Sequence, residues 1–319
     1  MDFVSLILHP HPSEVREAIE SFSSPSKKMT VTRIPDLLVI GHVTTDIIDG
    51  KPVPGGAAYY SSITAARLGY SVSLVTRGAS AHALKLLTPL VTVLNLPSQN
   101  ATIFHHKYKN GKREQWITSR SEDISPDHMP TNWKHCPLVL LAPVANELPV
   151  SMSKMFPNAL LGISPQGWLR IWNADGHVIP HVWPNVSLPS NSLVVVSKDD
   201  LYEEIMPWSW LSDQTHVVRT DGALGAYIHY RDHLWHIPPF PVKVTDTTGA
   251  GDIFTTAYLV RYSETRDIKA SGIFASSAAS LSVKKSGLDS APDRALIKQQ
   301  LEAHDNLKVH TRRPFMHSN

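Results

Sequence analysis

Cysteine is almost missing from this chain: 319 residues contain one, Cys136. No intrachain disulfide and no cysteine-based metal cluster can form, and a buried thiol in a reducing, cytoplasmic setting is expected. Long apolar runs are missing too. None reaches the roughly 18 residues that a membrane helix needs. The short apolar stretch from Phe3 to Leu8 has no positive segment before it, so no signal peptide is expected. Charge of one sign is not in excess either. Thirty Lys and Arg stand against 28 Asp and Glu, which points away from nucleic acid or a membrane surface as partner. The 17 histidines are scattered and lack the acid or cysteine spacing of a metal site.

Several catalytic signatures are absent as well. There is no G-x-x-x-x-G-K-[ST] phosphate loop and no G-x-S-x-G nucleophile elbow. The string Gly249-Ala250-Gly251-Asp252-Ile253-Phe254 fails a dinucleotide fingerprint at its third glycine, and it lies late in the chain. No fixed period marks a repeat protein.

What remains is a chain with 42% hydrophobic residues, enough for one large core with at most a small appendage. Residues 1–35 read as an extension, with a short helix from Glu14 to Phe22 and a Ser/Pro/Lys linker. Residues 36–305 read as an α/β domain and 306–319 as a polar tail. Apolar strand-like runs at 36–41, 71–76, 91–94, 138–142, 159–163, 193–196 and 215–220 alternate with helical stretches, including Ala57 to Leu68, Ser80 to Leu87 and Ser151 to Phe156. That alternation predicts a doubly wound, mostly parallel sheet flanked by helices. Alternating runs at 102–108 and 112–117 around Asn110-Gly111 predict a hairpin. With 45–53 they would form a small separate sheet. A second hairpin is expected around Arg231-Asp232. Leu201 to Met206, Ile253 to Tyr262, Ile273 to Val283 and Ala291 to Glu302 read as further helices.

The stretch from Val244 to Phe254 carries the chemistry. Its Gly-Ala-Gly turn enters a helix, where backbone N–H groups and the helix dipole favour an anion. Asp252, on the first helical turn, would lie beside that anion. A phosphoryl group next to a carboxylate base suits phosphoryl transfer. The plainer reading is a capped helix with an acid favoured by the dipole.

The string Asp246-Thr247-Thr248-Gly249-Ala250-Gly251-Asp252 resembles the C-terminal signature of the PfkB (ribokinase-like) family of sugar and nucleoside kinases. Further segments from Asp36 to Gly287 are similar in order. Asp46 follows the first strand, where the family places an acid that binds substrate hydroxyls. Pro54-Gly55-Gly56 resembles the family's N-terminal Gly-Gly motif, with Tyr60 where the ribokinase branch has a sugar-binding asparagine. Gln166 and Arg170 match a segment of the inositol-kinase-like branch, while Ser164 replaces its aspartate. Ser197 and Asp200 stand at the Asn-x-x-Glu that orders water around Mg²⁺, although Ser197 or Asp199 also suits a helix N-cap. Thr220, Gly222 and Gly225 resemble a nucleotide-site turn.

The resemblance implies a ribokinase-like α/β fold with a small β lid over 45–54 and 100–118. It implies an ATP- and Mg²⁺-dependent kinase acting on a small polyhydroxylated acceptor, with myo-inositol favoured and a nucleoside or another sugar as alternative. Asp252 would be the base, and the N–H groups of Gly249, Ala250 and Gly251 the anion hole. Asp46, Gly55, Gly56, Tyr60, Gln166 and Arg170 would hold the acceptor. Ser197, Thr220, Gly222, Gly225, Thr248 and Gly251 would hold the nucleotide, with Asp200 reaching the metal through water. Some relatives use a potassium ion near the signature, and the sequence leaves this open. A homodimer formed through the lid is also implied. A catalytically silent member serving as a binding or regulatory module is the alternative of a different class.

Overall fold

The computed structural model describes residues 33–109, 112–182, 188–201, 215–304 and 307–312. The expected helix over 14–22, the hairpin tip at 110–111 and positions 202–206 of the expected helix after Asp200 lie outside the described residues. In chain order the strands are β1 (Leu37–Ile40), β2 (Thr44–Ile48), β3 (Lys51–Gly55), β4 (Val72–Arg77), β5 (Thr92–Leu96), β6 (Ile103–Lys109), β7 (Lys112–Ser119) and β8 (Leu138–Leu141). They continue with β9 (Leu160–Ile163), β10 (Arg170–Trp172), β11 (Val178–Pro180), β12 (Ser192–Ser197), β13 (His216–Thr220), β14 (Ala226–Tyr230), β15 (His233–Ile237) and β16 (His310–Arg312). The described α-helices are α1 (Ala57–Arg67), α2 (Ala81–Leu87), α3 (Ala250–Thr265), α4 (Ile268–Ser282) and α5 (Arg294–Ala303).

A ten-stranded sheet runs in the order β16-β15-β14-β13-β12-β9-β8-β1-β4-β5. From β13 to β5 neighbouring strands are parallel, while β14, β15 and β16 add on antiparallel. The sequence explains the switch. Leu37-Leu38-Val39-Ile40 and Leu138-Val139-Leu140-Leu141 are apolar at every position and buried at every position, as strands covered on both faces must be. β14 instead alternates buried and half-buried residues, the period-two pattern of a sheet with one wetter face. The helices α1, α3 and α4 pack against this sheet and α3 packs against both of the others. The Ala/Ser composition of α4 permits that closeness: Ser277 and Ser280 are buried, with their hydroxyls bonded to Gln300 Oε1 (3.1 Å) and the Phe240 N–H (3.1 Å).

A second sheet has four strands, β3-β2-β6-β7. β2 pairs antiparallel with β3 and parallel with β6, and the β6–β7 pair keeps register out to Lys109 opposite Lys112. Three details depart from the sequence-based expectation. The segment expected as a helix at 151–156 is a 3₁₀ turn, Val150–Met155, which ends at Phe156 before Pro157, a residue that a helix cannot run through without losing a hydrogen bond. The ribbon β10–β11 was not expected, nor was β16, which extends the large sheet into the polar tail.

The two sheets share a buried anchor. Glu147 is fully buried, and its carboxylate accepts N–H bonds from His42 (2.8 Å), Val144 (3.0 Å) and Ala145 (2.7 Å). His42 Nε2 lies 3.1 Å from the Glu122 carbonyl and its Nδ1 lies 2.9 Å from Thr102 Oγ1. A carbonyl can only accept, so Nε2 carries the proton and Nδ1 accepts from the threonine hydroxyl. Burial, the largest influence, pushes His42 below the usual histidine range, in keeping with that neutral ring.

Candidate active site

The loops after the parallel strands β9, β12 and β13 carry Gln166, Asp200, Gly222 and Gly225, the small sheet carries Asp46 and Gly55, α1 carries Tyr60, and the segment between the antiparallel β15 and α3 carries the signature. Loops past the carboxyl ends of parallel strands are where open α/β sheets bind ligands, because the loops there are free to vary while the strands stay fixed. Two clusters face each other.

The first is the signature loop. Gly249 caps α3 in a left-handed conformation, φ 76°, which glycine adopts without steric cost. Asp246 Oδ1 accepts the Thr248 N–H at 2.9 Å and so holds the loop. The Ala250 N–H is engaged by the Thr247 carbonyl at 3.2 Å. The N–H groups of Gly249 and Gly251 have no acceptor among the described residues. Asp252 is half-buried on the first turn of α3.

The second cluster is the small sheet. Asp46 lies on β2 with its carboxylate over Gly55 of β3: a Cβ on Gly55 would meet Asp46 Oδ2 at 2.3 Å. Gly56 stands at φ 90° with its open side against the His42 carbonyl. Asp46 Oδ1 accepts from Thr44 Oγ1 at 2.7 Å, and Oδ2 lies 3.3 Å from His106 Nε2. His106 Nδ1 meets Gln115 Nε2 at 3.4 Å. Gln115 Oε1 accepts from Arg170 Nη1 at 3.1 Å, Arg170 Nη2 donates to Gln166 Oε1 at 2.9 Å, and Gln166 Nε2 donates to Asp200 Oδ1 at 3.0 Å. Arg170 also lies over the Phe104 ring, 5.0 Å from its centre. One polar chain therefore runs from the small sheet to the loop after β12.

Tyr60 joins the clusters. A Cβ on Gly249 would fall 2.5 Å from Tyr60 Cγ, so the ring lies flat against that glycine. Burial holds the Tyr60 hydroxyl well above the usual tyrosine range, and the carboxylates of Asp46, Asp246 and Asp252 push it the same way. Tyr60 thus stays a hydrogen-bond donor, and the three acids share its neighbourhood.

On the other side of the signature loop, Ser197 and Thr220 are register partners at the ends of β12 and β13. Ser197 Oγ accepts the Asp199 N–H at 3.2 Å, as a cap does. Gly222 and Gly225 flank a 3₁₀ turn, and a Cβ on Gly225 would collide with the Ile237 carbonyl at 2.1 Å. Lys198 reaches Asp221 at 3.3 Å, tying the two loops. Sequence reasoning did not single out His106, Gln115, Asp246 or Thr44. The hairpin alternation held the signal for two of them, since the β6–β7 register puts His106 opposite Gln115.

Comparison with known proteins fits this geometry. Residues 203–294 match the model of the pfkB family carbohydrate kinases. A 47-residue stretch is 57% identical to the ribokinase of Bacillus subtilis (strain 168), covering 15% of this chain and 16% of that protein. Among solved structures, a pyrophosphate-dependent kinase in the ribokinase family, complexed with a pyrophosphate analog and myo-inositol, superposes with TM-score 0.67 at 19% identity, over 84% of this chain and 99% of its own. Ribokinase from Thermotoga maritima gives 0.64 at 20% identity, over 83% and 99%. Arabidopsis thaliana ribokinase complexed with ribose and ATP gives 0.61 at 19%, over 85% and 99%. These likenesses establish the ribokinase-like fold. Beyond the fold, residues 203–294 are similar to the pfkB family carbohydrate kinases, and the stretch shared with the curated ribokinase spans about a sixth of that protein's length.

Proposed function

We propose that the chain is a phosphotransferase that moves the γ-phosphoryl group of ATP to a hydroxyl of a small polyol or sugar. The observation that carries this is the seating of Tyr60 on Gly249. It brings the acceptor-side acid Asp46 and the signature acid Asp252 into one neighbourhood, with an open anion-binding turn between them.

In this reading Asp252 accepts the proton of the attacking hydroxyl. Gly249 and Gly251 supply N–H donors for charge developing on the transferred phosphoryl oxygens, and Thr248 fixes the loop through Asp246. The Ala250 N–H is committed to Thr247, which narrows the expected donor set to two. Ser197, Thr220, Gly222 and Gly225 border the nucleotide. Asp46 orients the acceptor, and closure of the small sheet excludes water.

The described residues contain no cluster of three or more His, Cys, Asp or Glu that could cage a metal. Mg²⁺ tolerates that, because it keeps its waters and takes phosphate oxygens. Asp200, with one oxygen on Gln166, fits a contact through water, and the ion would neutralise phosphate charge.

The acceptor we favour is a cyclitol such as myo-inositol. The Gln166/Arg170 pattern and the fold neighbour complexed with myo-inositol support it. A ribose-type sugar or a nucleoside is the second candidate. Both Gln166 and Arg170 have their polar ends on protein partners, which supports a positioning role for them.

Asp252→Asn tests the base directly. The variant is expected to fold and bind ATP normally and to lose turnover on the order of a hundredfold or more. ATP consumption screened over inositols, sugars and nucleosides supplies the assay. Near wild-type turnover in the variant would remove Asp252 as base. A wild-type chain that transfers phosphate to no acceptor, yet binds another protein tightly, would favour the regulatory-module alternative.

A further inference from the structure

His106 occupies a position that the proposed kinase reaction does not yet use. Its side chain is 6% exposed, and its Nε2 makes no hydrogen bond although Asp46 Oδ2 is only 3.3 Å away. The distance is suitable, so the direction is what fails: the nitrogen is aimed past the carboxylate.

Which nitrogen holds the proton follows from the polar chain. Arg170 has only donors, so Gln115 must present its carbonyl oxygen to it. The Gln115 amide NH₂ then faces His106 Nδ1, which must accept. Asp200 fixes Gln166 by the same logic: its carboxylate takes the Gln166 NH₂, leaving Gln166 Oε1 for Arg170. All the donors point one way, and the imidazole proton is left on Nε2. A buried N–H without an acceptor costs roughly 1–3 kcal/mol, which a ligand oxygen can recover. Beside it, Asp46 Oδ1 is occupied by Thr44 Oγ1 at 2.7 Å, while Oδ2 takes no hydrogen bond from the described residues.

We propose that His106 is a specificity-determining residue whose Nε2–H, together with Asp46 Oδ2, holds one hydroxyl of the acceptor that is not phosphorylated. That hydroxyl accepts from the imidazole and donates to the carboxylate, so both unmet groups are satisfied by a single ligand atom. The pair selects for a hydroxyl at that position of a polyol or sugar. A C–H there leaves both groups buried and unpaired, and fluorine or an ether oxygen satisfies only the donor. Gln115, Arg170, Gln166 and Asp200 act as positioning residues that fix the imidazole tautomer. This inference rests on the kinase reading for its kinetics but not for its geometry.

The test compares myo-inositol, and D-ribose if that is the better acceptor, with their monodeoxy analogues. Wild-type protein should disfavour one particular deoxy analogue by tenfold or more in kcat/KM. His106→Ala should raise the acceptor KM about ten- to thirtyfold, with a smaller change in kcat, and should erase that discrimination. His106→Gln restores a donor and should recover part of it, which separates lost recognition from lost folding. Long-range proton–nitrogen NMR of the histidine ring should find the proton on Nε2 in wild type and a tautomer mixture in Gln115→Leu. Undiminished discrimination in His106→Ala, or a proton on Nδ1 in wild type, overturns the proposal. If wild type phosphorylates nothing, the kinase reading fails by itself. Calorimetry with myo-inositol and D-ribose then decides His106: binding lost in His106→Ala supports the proposal, whereas equal or absent binding in both proteins overturns it.

Discussion

The two sides of the candidate site are built from different materials. The signature side is backbone: a glycine at φ 76°, two N–H groups without an acceptor among the described residues, and one acid on a helix turn. The proposed acceptor side is side chain: Thr44, Asp46, His106, Gln115, Arg170, Gln166 and Asp200 linked end to end, with members drawn from β2, β6, β7, β10 and the turns after β9 and β12. A backbone site recognises what all donors of phosphate share. A side-chain network recognises a particular arrangement of hydroxyls, and it can be rewired without changing the reaction. Damage to the first should therefore remove turnover, and damage to the second should change which acceptor is used.

Gly249→Ala should have the largest effect. The added Cβ meets the Tyr60 ring at 2.5 Å and also sits at φ 76°, where an alanine is strained. Displacing one anion-hole donor costs on the order of 100- to 1000-fold in kcat. Gly249→Ala/Tyr60→Ala separates the causes: if the collision dominates, the double variant recovers part of the lost kcat, and if the dihedral dominates, it recovers none. A Gly249→Ala protein with unchanged kcat would show that the loop is not a catalytic backbone site.

Gly55→Ala probes the acceptor side and should act more weakly. Its Cβ lies 2.3 Å from Asp46 Oδ2, so the carboxylate must turn away from the acceptor. The acceptor KM is expected to rise about tenfold or more, as for loss of a charged hydrogen bond. The KM for ATP should stay within about threefold. If both constants move together, the two sides are not separable and the comparison above fails.

The same contrast explains what could be read from the chain. The parallel sheet was legible because Leu37–Ile40, Leu138–Leu141 and their kind are apolar without interruption, a pattern produced by burial on both faces. The signature loop was legible because Gly249 must be glycine for a local reason, its positive φ. The side-chain network proposed to hold the acceptor was only half legible. Asp46, Gln166 and Arg170 stood out by position, but Gln115 lies 55 residues from Arg170, and its role appears only when β7 is paired with β6. Glu147 was invisible for a related cause. Its partners are backbone N–H groups, which carry no side-chain identity.

The smallest expected effect on turnover comes from pH, and it tests whether each side rests on its own buried support. Beneath the acceptor side is His42. The helix that carries the signature acid, α3, packs further along its length on His216, at the end of β13 away from Thr220, with Nδ1 3.2 Å from the Tyr258 hydroxyl and its ring centre 4.1 Å from that of Tyr230. Burial first, then Arg231 and Arg266, lower His216 to about 4. The unfolded chain takes up this proton below roughly pH 6.5, whereas the folded chain does not, so the unfolded state binds more protons in that window. Stability must then fall as pH drops from about 6.5 towards 4, and His42, also lowered, adds in the same direction. Between pH 7 and pH 5, His216 alone should account for about 2 kcal/mol. Urea unfolding at both pH values measures it. His216→Phe keeps an aromatic ring against Tyr230 and Tyr262 and removes the titrating group, so its loss between pH 7 and pH 5 should be smaller than wild type by that amount. Turnover per folded molecule should match wild type at pH 7, because the histidine lies at the end of β13 away from Thr220 and contacts Tyr230, Tyr258 and Tyr262. An identical pH slope in both proteins would mean that the ring is hydrated and does not act as a dry support for α3.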